Sequence, residues 1–172
     1  MAIMSDWSDL VSEREKRMMR CCFTGHRPEK LNANENEVKQ TLTISIDSAL
    51  AAGKRTFISG MARGVDIWAA ELVLRRRVED SLIHLICAVP YPDFERRWSM
   101  QWQQRYQKVL EKADLVREIT PSFSMGSYQV RNEWMVDRSS LVIAVFNGEP
   151  GGTQNTIDYA RVQGIPVNVI NI

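Results

Sequence analysis

Cysteine and histidine are scarce in this chain. It holds three cysteines and two histidines among 172 residues. Cys21 and Cys22 are adjacent and Cys87 sits inside an apolar run, so no disulfide framework and no metal-ligand spacing can be read. His26 and His84 are far apart in sequence, which leaves no metal constellation and no activated serine or cysteine. A reducing, cytoplasmic setting is expected. No apolar stretch approaches the roughly 18 residues of a membrane helix, and the segment Met1 to Met19 is too polar and acidic for a signal peptide. Charge of one sign is also lacking: 22 basic and 21 acidic side chains leave +1, against a surface built for sequence-independent attraction to nucleic acid. The run Arg75-Arg76-Arg77 is read as a solvated helix end.

What is present is an ordinary globular composition, with 44% hydrophobic and 25% charged residues. Strand-length apolar runs alternate with stretches of helical period, the pattern of repeated βα units. Six strands are expected: Cys21 to Thr24, Thr56 to Ser59, Leu82 to Val89, Leu115 to Ile119, Leu141 to Phe146 and Val167 to Ile170. Consecutive apolar positions, clearest in Leu141 to Phe146, indicate strands covered on both faces. The expected fold is therefore α/β, a Rossmann-like three-layer α/β/α domain with a mainly parallel sheet, over residues 20–172, with a helical extension at 1–19. That extension is read as a helix from Asp6 to Met19. Val38, Leu42, Ile46 and Ala49-Leu50 form one helical stripe ending at the cap position Gly53. Trp98, Trp102, Tyr106 and Val109-Leu110 form another after a candidate N-cap at Asp93, and both stripes are assigned to core packing.

Three strands run into glycine-bearing turns. The first is Thr24-Gly25-His26-Arg27-Pro28, in which a glycine lets backbone approach a phosphate while Thr24 and Arg27 offer donors. The second is Ser59-Gly60-Met61-Ala62-Arg63-Gly64-Val65-Asp66, placed to expose N–H groups at a helix N-terminus, where anions are favoured. It differs from the dinucleotide fingerprint G-x-G-x-x-G, and it also admits a purely structural role for Gly60 and Gly64 with Asp66 as a cap. The third is Asn147-Gly148-Glu149-Pro150-Gly151-Gly152-Thr153, opening a helix that carries Thr156 and Asp158. Open α/β sheets bind ligands beyond the carboxyl ends of their strands, and all three turns fall there. Pro90 and Tyr91, after the third strand, share that end. On the helix before the fifth strand, Arg131, Met135 and Arg138 share a face with Asn132 alongside, suiting Arg131 to clamp a phosphate or ribose. Met61, Trp68, Tyr91 and Tyr128 are candidates for base or ribose contacts.

Taken together, these motifs resemble the YpsA-like family of the superfamily (SLOG) that joins the DNA-processing protein DprA/Smf to the "lonely guy" cytokinin-activating enzymes. The resemblance spans about Arg20 to Ile172. Thr24 to Pro28 is similar to the family's opening signature, and Ser59 to Asp66 to the S-G-[ML]-A-R-G-[IV]-D turn of the DprA branch. Arg131-Asn132 with Met135, and Pro150-Gly151-Gly152-Thr153, resemble the R-K-x-x-M and P-G-G-x-G-T-x-x-E elements of the lonely guy branch. The resemblance implies a nucleotide or an ADP-ribose or NAD-derived ligand, with no further cofactor. In the hydrolase branch a glutamate of the second element works with the arginine to release a base. Here Gln154 and Asn155 replace that element's third glycine and threonine, and Asp158 stands at the glutamate position.

Three readings follow. The first is capture of a small nucleotide by a sensor, regulator or sequestering protein without turnover. The second is hydrolysis of an N-glycosidic bond, with Asp158 as nucleophile or base and Arg131 orienting the phosphate. The third is single-stranded DNA binding, against which the charge balance speaks. A homo-oligomer is expected from Trp7, Met18-Met19 and the aromatic stripe.

Overall fold

The computed structural model describes residues 11–172. Its sheet has six strands, all parallel: β1 (Arg20–Gly25), β2 (Thr56–Ser59), β3 (His84–Val89), β4 (Leu115–Glu118), β5 (Leu141–Phe146) and β6 (Val167–Asn171). They lie in the order β4-β3-β2-β1-β5-β6. The helices are α1 (Glu13–Met18), α2 (Glu35–Ala51), α3 (Val65–Glu79), α4 (Met100–Lys112), α5 (Ser127–Asp137) and α6 (Gly152–Val162).

The consecutive apolar residues of the strands divide between two cores by the period-two alternation of side chains. Cys21, Phe23, Phe57, Leu85, Cys87, Ile143 and Val145 join Val38, Leu42, Ile46, Trp68, Val73, Tyr106 and Val109 from α2, α3 and α4. Cys22, Ile58, Ala88 and Val142 face the other way, onto Met135, Val136 and Ala160 from α5 and α6. This makes the three-layer α/β/α architecture. It also settles Trp68 and Met61 as core residues, Trp68 lying 6.2 Å from Trp102 between ring centroids. The chain walks outward from β1 to β4 on one side and then crosses to place β5 on the other flank of β1. Cys21 is in register with Phe57 of β2 and with Leu141 of β5. This reversal opens a crevice at the C-terminal ends of β1 and β5, where α/β sheets bind ligands.

Several sequence expectations are adjusted. Leu82 is exposed and its N–H bonds the Asp80 carboxylate at 3.0 Å, so β3 starts at His84 instead. β4 ends at Glu118, one residue short of the expected Ile119, and all four of its residues are exposed, as befits an edge strand with one neighbour. Asp93 does not cap α4: it sits at φ 56° in a run of turns, and Ser99 holds the N-cap position. In the N-terminal extension, the helix spans Glu13–Met18, started by a reciprocal capping box between Ser12 and Glu15. Val11 and Ser12, expected within the helix, precede it, Ser12 as its extended N-cap, and the stretch from Asp6 to residue 10 lies outside the described residues. No described helix is long and apolar enough to cross a membrane.

Candidate functional site

A cavity of about 510 Å³ occupies the crevice. Five segments at that edge contribute: the β1 turn, the β2–α3 turn, the segment after β3, α5, and the start of α6.

From β1 and its turn come Thr24, Gly25, His26, Arg27 and, beyond the expected set, Phe23 and Lys30. Gly25 has a tighter reason to be glycine than ligand approach, because a Cβ there would fall 2.5 Å from Val65 at the start of α3. His26 is 8% exposed and its ring stacks on Phe146 at 5.8 Å. Its Nε2 accepts the Asn147 N–H at 3.2 Å, and burial, helped by the charge of Lys30, lowers its pKa.

The β2–α3 turn contributes Ala62, Arg63 and Asp66. Ser59 is fully buried and serves the turn itself, donating to the Asp66 carbonyl at 2.8 Å and accepting the Met61 N–H at 3.2 Å. Met61 takes the left-handed φ of 61° and points into the core. Gly64 combines φ 91° with a Cβ position 2.8 Å from the His26 carbonyl, so both backbone strain and space exclude a side chain. Arg63 pairs with Glu29 at 3.0 Å on the surface.

Asp66 and Arg131 form the floor. Asp66 is 5% exposed; its Oδ2 accepts the Ala62 N–H at 3.2 Å, while its Oδ1 has no partner among the described residues. Burial raises its pKa to about 6 despite the attraction of Arg131. Arg131 is 4% exposed and donates from Nη1 to the Gly60 carbonyl and, at 3.4 Å, to the Ala88 carbonyl, and from Nε to Asn132 Oδ1 at 2.8 Å. Burial lowers its pKa in turn, so for both members desolvation outweighs mutual attraction. Gly60 makes room for the pair: a Cβ there would lie 2.7 Å from the guanidinium carbon and 2.9 Å from Asp66 Oδ2.

The wall towards β3 is aromatic. Phe94 and Trp98 meet edge to face at 4.9 Å, Phe94 meets Tyr128 at 5.9 Å, and all three line the cavity. Tyr91 stands behind them, its hydroxyl 3.0 Å from that of Tyr128, and Pro90 uses its carbonyl to accept from Thr120. Trp98 belongs to a stripe assigned to the core and here has a second role. Phe94 and Lys30 were not expected; Lys30 shares the turn of Arg27, whereas nothing in the spacing around Phe94 marks it.

The remaining edge is the N-terminus of α6, where Gly152 and Thr153 line the cavity. Gly151, Asn147 and Gly148 shape the loop without lining it; Asn147 ties it to the first turn by donating from Nδ2 to the Lys30 carbonyl at 2.9 Å. Thr156 is buried and bonds back to the Gly152 carbonyl at 2.8 Å. Asp158 is not brought to the cavity: it is exposed and accepts from Gln154 at 2.7 Å, one turn away on the outer face of α6. Among the lining residues four basic side chains, Arg27, Lys30, Arg63 and Arg131, accompany the single carboxylate of Asp66.

A sequence model described as the YspA SLOG family (YpsA) matches residues 21–166. UPF0398 proteins of Bacillus cereus strain G9842 and Bacillus thuringiensis strain Al Hakam are each 26% identical over 150 residues, covering 82% of either chain. Among solved structures, DNA processing protein A of Helicobacter pylori, described for its single-stranded DNA binding mode, superposes with TM-score 0.63 at 20% identity. The match covers 91% of this chain and 66% of that one. DNA processing protein A of Streptococcus pneumoniae superposes with TM-score 0.66 at 16% identity, covering 90% of this chain and 51% of that one. The likeness establishes the shared Rossmann-like fold.

Proposed function

Because this chain belongs to the YspA SLOG family, we propose that its cavity captures a nucleotide or an NAD- or ADP-ribose-derived small molecule and holds it without turnover, as a sensor, regulator or sequestering protein. The observation that carries this reading is convergence. The N-termini of α3 and α6, four basic side chains and the aromatic wall of Phe94, Trp98 and Tyr128 meet in one crevice. Helix N-termini and arginines favour phosphate oxygens, and an aromatic wall suits a base. Phosphate at one end and base at the other is the chemistry of a nucleotide. Absence of turnover is favoured by the position of Asp158, whose exposed carboxylate is spent on Gln154. The setting we propose is the cytoplasm, where the buried thiols of Cys21, Cys22 and Cys87 stay unpaired. We also propose a homo-oligomer, for which Met18 and Met19 leave exposed apolar surface.

The test is mass spectrometry of whatever small molecule leaves the purified protein on denaturation, joined to thermal shift with ADP-ribose and AMP. A ligand at a hundred times its Kd raises stability by about 2.7 kcal/mol. Recovery of the unchanged nucleotide supports capture. Release of free base supports the hydrolase instead, and salt-dependent retention of single-stranded DNA without any nucleotide shift supports the third reading.

A further inference from the structure

His26 has one ring nitrogen engaged and one free. Its Nε2 accepts the backbone N–H of Asn147 at 3.2 Å, and a neutral imidazole that accepts at one nitrogen carries its proton on the other. The proton is therefore on Nδ1. That atom has no hydrogen-bond partner among the described residues, yet it is not among the polar atoms sealed without a partner, and the residue lines the cavity. The ring itself cannot turn away: it is 8% exposed, stacked on Phe146, with its own carbonyl facing Val65 N at the start of α3. A donor held this firmly in the wall of a basic cavity, between Gly25 and Arg27, has a function to perform towards whatever fills that cavity.

We propose that His26 is a ligand-reading residue: a neutral imidazole, locked as the Nδ1–H tautomer by Asn147, that donates its free N–H to an oxygen of the bound ligand's phosphate. The inference rests on the nucleotide reading of the cavity and assigns one donor within it. The lock gives it a second property. The same bond joins the β1 turn to the β5–α6 loop, so the side chain that reads the ligand also fixes the distance between the first turn and the α6 N-terminus. Burial keeps the ring neutral at neutral pH, with the Lys30 charge acting in the same sense and Glu149 opposing it.

Two isosteric substitutions separate the two nitrogens. In His26→Gln the amide oxygen reaches the Nε2 position and can still accept from Asn147, while nothing replaces Nδ1–H. In His26→Asn the amide nitrogen replaces Nδ1–H and the acceptor for Asn147 is gone. The expected pattern is a His26→Gln protein with nearly unchanged melting temperature and about tenfold or more weaker binding of ADP-ribose by calorimetry. His26→Asn should melt lower while keeping the larger share of its affinity. In the wild type, two-bond ¹⁵N–¹H spectra of the free protein should show the Nδ1–H tautomer, and ADP-ribose should shift that proton downfield. Wild type that binds ADP-ribose with His26→Gln unaffected, equal losses in both variants, or an Nε2–H tautomer would overturn the assignment alone. Wild type that binds neither ADP-ribose nor AMP would overturn it together with the proposed function.

Discussion

Asp66 offers a test of the site's electrostatics that needs no ligand. Its carboxyl is raised from 3.8 to about 6, first by burial, with Arg131 and the Ala62 N–H pulling the other way. A folded-state pKa above the unfolded one means that the folded protein binds this proton more tightly. The resulting stability is fully present below the unfolded value and is lost as pH rises through about 6. The gap of about two units corresponds to about 3 kcal/mol at about 1.36 kcal/mol per unit. Asp66→Asn removes the titration while keeping an acceptor for the Ala62 N–H, so urea denaturation of both proteins from about pH 4 to about pH 7 isolates the effect. His26, whose pKa is lowered, titrates in both proteins and cancels in the difference. The stability of wild type relative to Asp66→Asn should fall by about 2 kcal/mol across that range, the larger part of the full effect, and then level off. Loss of the carboxylate beside Arg131 adds a constant offset but no slope, since arginine stays charged. A difference that is flat, or that grows with pH, would show that the pairing with Arg131 outweighs desolvation and would refute the reasoning.

Other substitutions separate space from chemistry. Gly152 has open space where its Cβ would be, so Gly152→Val should fold with near-native melting temperature and lose at least tenfold in ADP-ribose affinity; unchanged calorimetric affinity would remove the α6 N-terminus from the site. Gly60→Ala should lower stability by about 1–3 kcal/mol in urea denaturation, because the new methyl displaces Arg131, and should weaken binding as well. Native stability there would show that the guanidinium has another seat. Asp158→Asn should change ADP-ribose affinity by less than about twofold, as for a surface substitution, and base release should be absent in both forms by chromatography. Multiple-turnover release that vanishes in the variant would restore the hydrolase reading.

The sheet was readable from sequence because burial on both faces leaves consecutive apolar residues, as in Leu141 to Phe146. Division of those residues between two cores also follows from alternation, once the strands are known. Segments stabilised by turns were less readable: Asp93, read as a helix cap, holds a left-handed turn position, and β4, an exposed edge, has only a single neighbour to define it. In the site, turns adjoining the strands were found because glycine and proline punctuate them. Lining residues supplied by irregular backbone, such as Phe94, carry no period. The outward face of Asp158 was equally invisible, since a motif position fixes a residue's place on a helix but not the orientation of that helix over the crevice.

The glycines of the three turns illustrate why residue type underdetermines role. At Gly25, Gly60 and Gly64 the space of a side chain is already taken by Val65, by Arg131 with Asp66, and by the His26 carbonyl with Pro28. These residues are glycine so that the protein can pack against itself. At Gly151 and Gly152 nothing of the protein lies within 4 Å of a Cβ, and Gly152 still lines the cavity. Gly148 is as open but does not line the cavity, so it is at Gly152 that a missing side chain leaves cavity-facing backbone open to something that is not protein. The β1 and β2 turns thus supply side-chain donors, Arg27 and His26 above all, around a floor formed by Arg131. In the proposed mode of binding, close backbone approach to an anion falls to the start of α6, on the opposite bank of the β1–β5 crevice. A ligand that satisfies both banks needs anionic oxygens within reach of each, and its remaining bulk must lie towards Phe94, Trp98 and Tyr128, where the wall is aromatic and the helix termini no longer reach.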